Sequence, residues 1–160
     1  MNKVTIALIT VAAIVIIGGG IFALSFGNYV SEDKGTFTAE ISTADSIETS
    51  LGSQTPDPGN VFVLALVTLT NEKADDGLSN NSLNFRIKVD NVIYNSSLWY
   101  TSTIEHENKN VLKDLGIGAS DKSCIVFEIP KSADVQNAEI IYDGAWNVSG
   151  TTKYVGTVCF

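Results

Sequence analysis

Residues 61–70 read Val-Phe-Val-Leu-Ala-Leu-Val-Thr-Leu-Thr. The run carries no charge, is apolar on both faces, and half of it is β-branched. Ten residues are too few to cross a bilayer as a helix, which needs about 20. A continuous apolar run of this length between turn signals marks a strand covered on both faces. Pro58-Gly59-Asn60 stands before it and Asn71-Glu72-Lys73 after it. We expect a central strand buried between two sheets.

Working outward, residues 83–89 (Leu-Asn-Phe-Arg-Ile-Lys-Val) alternate, with Leu83, Phe85, Ile87 and Val89 facing inward. Asp90-Asn91 suits a two-residue hairpin turn, because both side chains tolerate positive φ, and Val92-Ile93-Tyr94 begins the return strand. On the N-terminal side, residues 37–41 alternate in the same way. Residues 42–60 hold Pro56, Pro58 and several Ser and Gly, with room for one helical turn near residues 43–50. Further strands are expected at residues 123–129, 138–143 and 153–160. About seven short strands with no sustained helical period predict an all-β domain over residues 36–160, an antiparallel two-layer sandwich.

The chain has 160 residues, with 10 Lys+Arg against 18 Asp+Glu and a net charge of −8. That balance excludes nucleic-acid binding, which needs a basic footprint. With 44% hydrophobic residues and 3 Pro, the chain is too apolar to be disordered.

Residues 4–26 bear no charge and follow Met1-Asn2-Lys3. As a helix they would extend roughly 34 Å, enough for a ~30 Å hydrocarbon core. The expectation is one N-terminal transmembrane helix within residues 1–27, held by membrane lipid. Residues 28–35 are a linker and residues 36–160 an ectodomain. Lys3 keeps the N-terminus inside and puts the domain outside the cell. Cleavage of a signal segment after Ala23-Leu24-Ser25, giving a secreted domain, stays open. Gly19, Ala23 and Gly27 recur every fourth residue, a spacing that lets two membrane helices pack closely, so a homo-oligomer also stays open.

The order of segments then resembles a known family. Ala44-Asp45-Ser46-Ile47 is followed by Pro58-Gly59-Asn60 leading into Val61-Phe62-Val63, then Val67-Thr68-Leu69-Thr70-Asn71. Phe85-Arg86-Ile87-Lys88-Val89-Asp90 and Tyr94 come next, then Ile125-Val126-Phe127-Glu128-Ile129-Pro130-Lys131 and Ile140-Ile141-Tyr142-Asp143-Gly144. Over residues 36–143 the chain resembles the immunoglobulin-like domain-of-unknown-function family of secreted or membrane-anchored bacterial and archaeal proteins. The resemblance implies an Ig-like sandwich behind a signal or anchor. It implies no activity and carries over no functional residue.

Few residues point to chemistry. Outside the cell, Cys124 and Cys159 read as a disulfide that closes a loop of about 35 residues and is worth ~2–4 kcal/mol, with two buried free thiols as the alternative. Asn80, Asn95 and Asn147 each stand in an Asn-x-Ser acceptor site. Asp75-Asp76-Gly77 with Asn80 and Asn81 offers hard oxygen ligands but lacks the alternating spacing of a calcium loop, and reads as a solvated turn. His106 lies between Glu105 and Glu107 with no second His and no nucleophile motif, so no catalytic or metal site and no cofactor is expected. Trp99, Tyr100 and Trp146 are either core plugs or contact aromatics. The expected role is non-catalytic binding or scaffolding at the cell surface, with a protein or glycan of the envelope as partner. A subunit of an envelope assembly and a secreted binding or inhibitor domain are the alternatives.

Overall fold

The computed structural model describes residues 12–17, 20–25, 32–109 and 112–157. Thirteen strands and one short helix follow one another: β1 Ala12–Ile17, β2 Gly20–Ser25, β3 Gly35–Ala44, β4 Ile47–Thr49, β5 Gly52–Gln54, β6 Asn60–Asn71, β7 Leu78–Asn80, β8 Phe85–Val89, β9 Val92–Asn95, α1 Leu98–Thr103, β10 Lys113–Leu115, β11 Ser120–Pro130, β12 Glu139–Tyr142 and β13 Val148–Thr157. The protein is all-β. It divides into two compact units, Met1–Glu32 and Asp33–Phe160.

In the first unit β1 and β2 pair antiparallel, from Ala12 opposite Ser25 to Ile17 opposite Gly20. The sequence predicts one helix across residues 4–26, and the described part of that stretch is a hairpin instead. Its β-branched Ile14, Val15, Ile16 and Ile17 favour strand over helix. No helix among the described residues is long and apolar enough to cross a membrane. Of the small residues at four-residue spacing, Gly19 and Gly27 lie outside the described residues, and Ala23 stands in β2 opposite Ile14.

The second unit is built on a four-stranded sheet in the order β11-β6-β3-β13 and a three-stranded sheet in the order β12-β8-β9. These seven strands correspond to the seven predicted. One core lies between the two sheets. It takes Phe37, Ala39 and Ile41 from β3, Val61, Val63, Ala65, Val67 and Leu69 from β6, and Ile125, Phe127 and Ile129 from β11, set against Phe85, Ile87 and Val89 from β8 and Ile140 from β12. Phe62, Phe85 and Phe127 are fully buried, and truncating a buried Phe to Ala costs about 3–5 kcal/mol.

The even-numbered residues of β6 explain why it reads as apolar on both faces. Phe62 and Leu64 point away from that core into a second cluster with Ala44, Ile47, Ile104, Cys124 and Val126. The cover over this face is α1 and the β4–β5 hairpin, not a further sheet. Tyr100 of α1 sets its ring edge-to-face on Phe62 at 4.7 Å. Beyond this cover the same sheet face turns polar, with Thr36, Thr70 and Ser120 in one row across the strands and Thr38, Thr68 and Lys122 in the next.

Four local expectations are corrected. Leu83 is exposed, not inward, because Asn81 accepts the Leu83 N–H on its Oδ1 at 3.0 Å and starts a 3-10 turn at Ser82–Asn84 that sends the chain into β8 one residue pair later. Residues 47–49 are strand in the stretch that has room for a helical turn, since Ile47 and Thr49 alternate inward and Ile47 enters the second cluster. The Ser/Thr-rich stretch after Trp99 reads from its composition as a loop but is helical. The last strand begins at Val148 and runs parallel to β3, from Val148 opposite Gly35 to Thr157 opposite Thr43. All other strand pairs are antiparallel, so the prediction of a purely antiparallel domain fails at this one ladder. By contrast, Asp90 and Asn91 adopt φ 51° and 64°, the two-residue turn predicted for them.

Candidate binding site

A polar cleft of about 380 Å³ opens where β6 ends, lined by Asp76, Gly77, Ser79, Asn81, Asn84, Asp114, Tyr142, Ala145 and Trp146. Its walls come from three separate stretches, residues 76–84, Asp114 and residues 142–146, and Asn71 at the end of β6 fixes the first two. This side chain is fully buried. Its Nδ2 donates to the carbonyls of Ala74 at 3.0 Å and Leu115 at 2.6 Å, and its Oδ1 accepts the Ala74 N–H at 2.8 Å. The turn after β6 and the strand β10 are thus tied to one amide. Gly77 then closes the turn by donating to the Ala74 carbonyl, at a positive φ of 88° that a side chain would strain.

The aromatic walls are equally constrained. The Trp146 indole N–H donates to the Gly77 carbonyl at 3.1 Å. Tyr142 donates its hydroxyl to the Ser79 carbonyl at 3.1 Å and accepts from Asn84 Nδ2 at 3.4 Å. Its ring stands edge-to-face on Phe85 at 5.2 Å. On its other side Gly144 approaches so closely that an added Cβ would fall 2.4 Å from the ring. Burial pushes the Tyr142 phenol above its ordinary value. The Asn84 hydrogen bond opposes that shift and the Asp114 charge adds to it. Two exposed carboxylates, two amides, a phenol and an indole therefore meet on a rigid frame, a set that recognises hydroxyl and amine groups by directed hydrogen bonds.

The predicted contact aromatics are not brought together. Trp146 is half-buried at the cleft, whereas Trp99 and Tyr100 lie on α1 near the opposite end of β6, where Phe62 meets Tyr100. Trp99 is exposed and Tyr100 is half-buried. Of the acceptor asparagines, Asn95 and Asn147 are exposed. Asn80 is fully buried, with its Nδ2 donating to Asp121 at 2.8 Å and its Oδ1 accepting from Ser123 at 3.2 Å, so the folded domain does not present it. Asp75 and Asp76 are exposed in the turn after β6, and among the described residues no group of three or more His, Cys, Asp or Glu is placed to hold a metal. His106 Nδ1 accepts the Asn108 N–H at 3.0 Å within a local turn.

Cys124 is a free, buried thiol, and burial pushes it up to about 12. Its predicted disulfide partner, Cys159, lies outside the described residues.

Asp114, Asn84 and Tyr142 were not singled out by sequence, since they meet only through the β7–β10 pairing and the turn after β12. Comparison with curated proteins and with solved structures returns no match. A family model, Domain of unknown function (DUF4352), matches residues 27–153, and the chain belongs to that family.

Proposed function

We propose that this chain is a non-catalytic binding protein displayed outside the cell, an Ig-like β-sandwich held at the membrane by its N-terminal segment. The cleft framed by Tyr142 and Trp146 carries the reading. It presents a glycan or a polar protein loop with fixed donors and acceptors while its own backbone ties stay intact. Asp76 and Asp114 are both exposed and place two acceptors at the mouth of the cleft. The four-plus-three arrangement of strands around one core supports the Ig-like description.

The uncharged residues 4–26 support the anchor. A two-stranded hairpin leaves the outer main-chain groups of both strands unpaired, a state the bilayer core does not tolerate. In a membrane this segment is read as a single helix, with Lys3 inside and the domain outside.

Two measurements test this. Alkaline extraction of native membranes should leave the full-length chain in the membrane pellet, and its release in a form lacking residues 1–25 would refute the anchor. NMR titration with a panel of neutral and amino-bearing oligosaccharides should move the Trp146 indole N–H and the backbone amide signals of the cleft residues, with Trp146→Ala and Asp114→Asn each weakening the affinity read from the backbone amides about tenfold, the scale of one lost buried contact or hydrogen bond. A response unaltered by both variants would remove the cleft from the function.

A further inference from the structure

We propose that β9 is a self-association edge, pairing antiparallel with β9 of a second copy of this chain. The other exposed edges of the two main sheets are blocked. Along β11, Ser97 donates to the Val126 carbonyl at 2.7 Å, the Val126 N–H is taken by Thr101 Oγ1 at 2.9 Å, and the Cys124 N–H by the Asn108 carbonyl at 2.6 Å. The β12 edge gives the Ile140 N–H to Thr152 Oγ1 at 2.8 Å. At β13 the register breaks between Tyr154 and Gly156 and Lys153 stands on the strand, both devices that deter pairing.

β9 has none of these. It is a regular strand without proline, bulge or charge, and it pairs only with β8. In the two-residue hairpin Val89 and Val92 form the hydrogen-bonded pair next to the turn, so Ile87–Tyr94 is the next such pair. The N–H and C=O groups of Ile93 and Asn95 therefore point away from β8, along the open edge. Val92 and Ile93 are 49% and 53% exposed, and Leu98 and Trp99, just past the strand, 54% and 58%.

Charge decides the occupant. Residues 92–104 contain no charged side chain in a chain of net charge −8, so this is where two copies meet with least repulsion. Antiparallel pairing that places Ile93 opposite Asn95 of the second copy makes all four outward groups of each strand face partners. Tyr94 then lies on the two-fold axis opposite itself, and Val92 of one copy comes beside Ser96 of the other, next to Leu98 and Trp99. A four-residue strand pair buries far less than the ~1,200 Å² of a stable interface. The contact therefore forms where copies are concentrated, as chains confined to one surface are.

Cysteine cross-linking tests the register in the full chain at high concentration, with Cys159→Ser to leave only the buried Cys124. Tyr94→Cys, although half-buried in the single chain, should form a disulfide-linked dimer about tenfold faster than Leu51→Cys, a more exposed site elsewhere. Ile93→Cys alone should not cross-link, but mixed with Asn95→Cys it should. Adding Ile93→Pro, which removes an N–H that points to solvent in the single chain, should abolish the Tyr94→Cys cross-link without lowering the melting temperature. If Tyr94→Cys fails to fold, the Ile93→Cys and Asn95→Cys mixture decides alone. Cross-linking no faster than Leu51→Cys, or indifferent to Ile93→Pro, overturns the proposal. So does capture of a different protein at position 94 in place of a second copy.

Discussion

Asn71→Ala should be among the most damaging polar substitutions in this protein. The amide is fully buried and makes three main-chain hydrogen bonds. On its removal the Ala74 carbonyl keeps the Gly77 N–H at 3.1 Å, but the Ala74 N–H and the Leu115 carbonyl lose this partner. At ~1–3 kcal/mol for each buried group left unmet, the loss is about 3 kcal/mol. For a domain of this size that lowers the melting temperature by roughly 10 °C. Asn71→Asp separates the hydrogen bonds from the packing. A carboxylate there faces two carbonyl oxygens, so its folded-state pKa lies above its unfolded value near ~3.9. Stability held by the neutral carboxyl is complete below about pH 4 and is lost as pH rises through the folded value. Urea unfolding of wild type, Asn71→Ala and Asn71→Asp between acid and neutral pH measures both effects. A loss below about 1 kcal/mol for Asn71→Ala, or a pH-independent deficit for Asn71→Asp, would refute the reasoning.

Three further outcomes are expected. Gly150→Ala should destabilise by about 1–3 kcal/mol, because its Cβ would fall 2.2 Å from the Phe37 ring, and Phe37→Leu in the same chain should restore part of the loss in a thermal melt. In a Cys159→Ser chain, Cys124 should stay unlabelled by a thiol reagent at pH 8 until urea unfolds the protein. Its raised pKa of about 12 also means that stability is complete below the unfolded thiol value and falls as pH rises from about 9 to about 12, by up to ~1.4 kcal/mol per pH unit. Denaturant melts in that window, compared with Cys124→Ala, read it directly. Expression in a host that glycosylates Asn-x-Ser sites should leave Asn80 unmodified by peptide mass mapping, since it is buried and bonded to Asp121 and Ser123.

The seven main strands were legible because each depends on a local signal: the alternation around Phe85, the doubly apolar run at β6, and the Asp90-Asn91 turn. What sequence missed depends on contacts far apart in the chain. Leu83 keeps the alternating phase yet is diverted by the one hydrogen bond its N–H donates to Asn81. Residues 98–103 lack a helical period, and their helix is held by docking against β11 through Thr101. The parallel partner of β13 carries no periodic signature, since either direction gives the same side-chain alternation. The cleft was half visible. Trp146 and the Asp75-Asp76-Gly77 turn stand out as residue types, but Asp114, Asn84 and Tyr142 join them only through pairing of short strands.

The ladder between β3 and β13 has a consequence for the timing of synthesis. It joins residues as far apart as Thr43 and Thr157, 114 positions in sequence, so β3 lacks this neighbour until residues 148–157 have been made. Closing so long a loop is slow and comes late. A chain that leaves the cell unfolded would gain from that delay, because its domain cannot complete its larger sheet before β13 is released. Removing β13 should leave β3 as an open edge beside Phe37, with the finished fold out of reach.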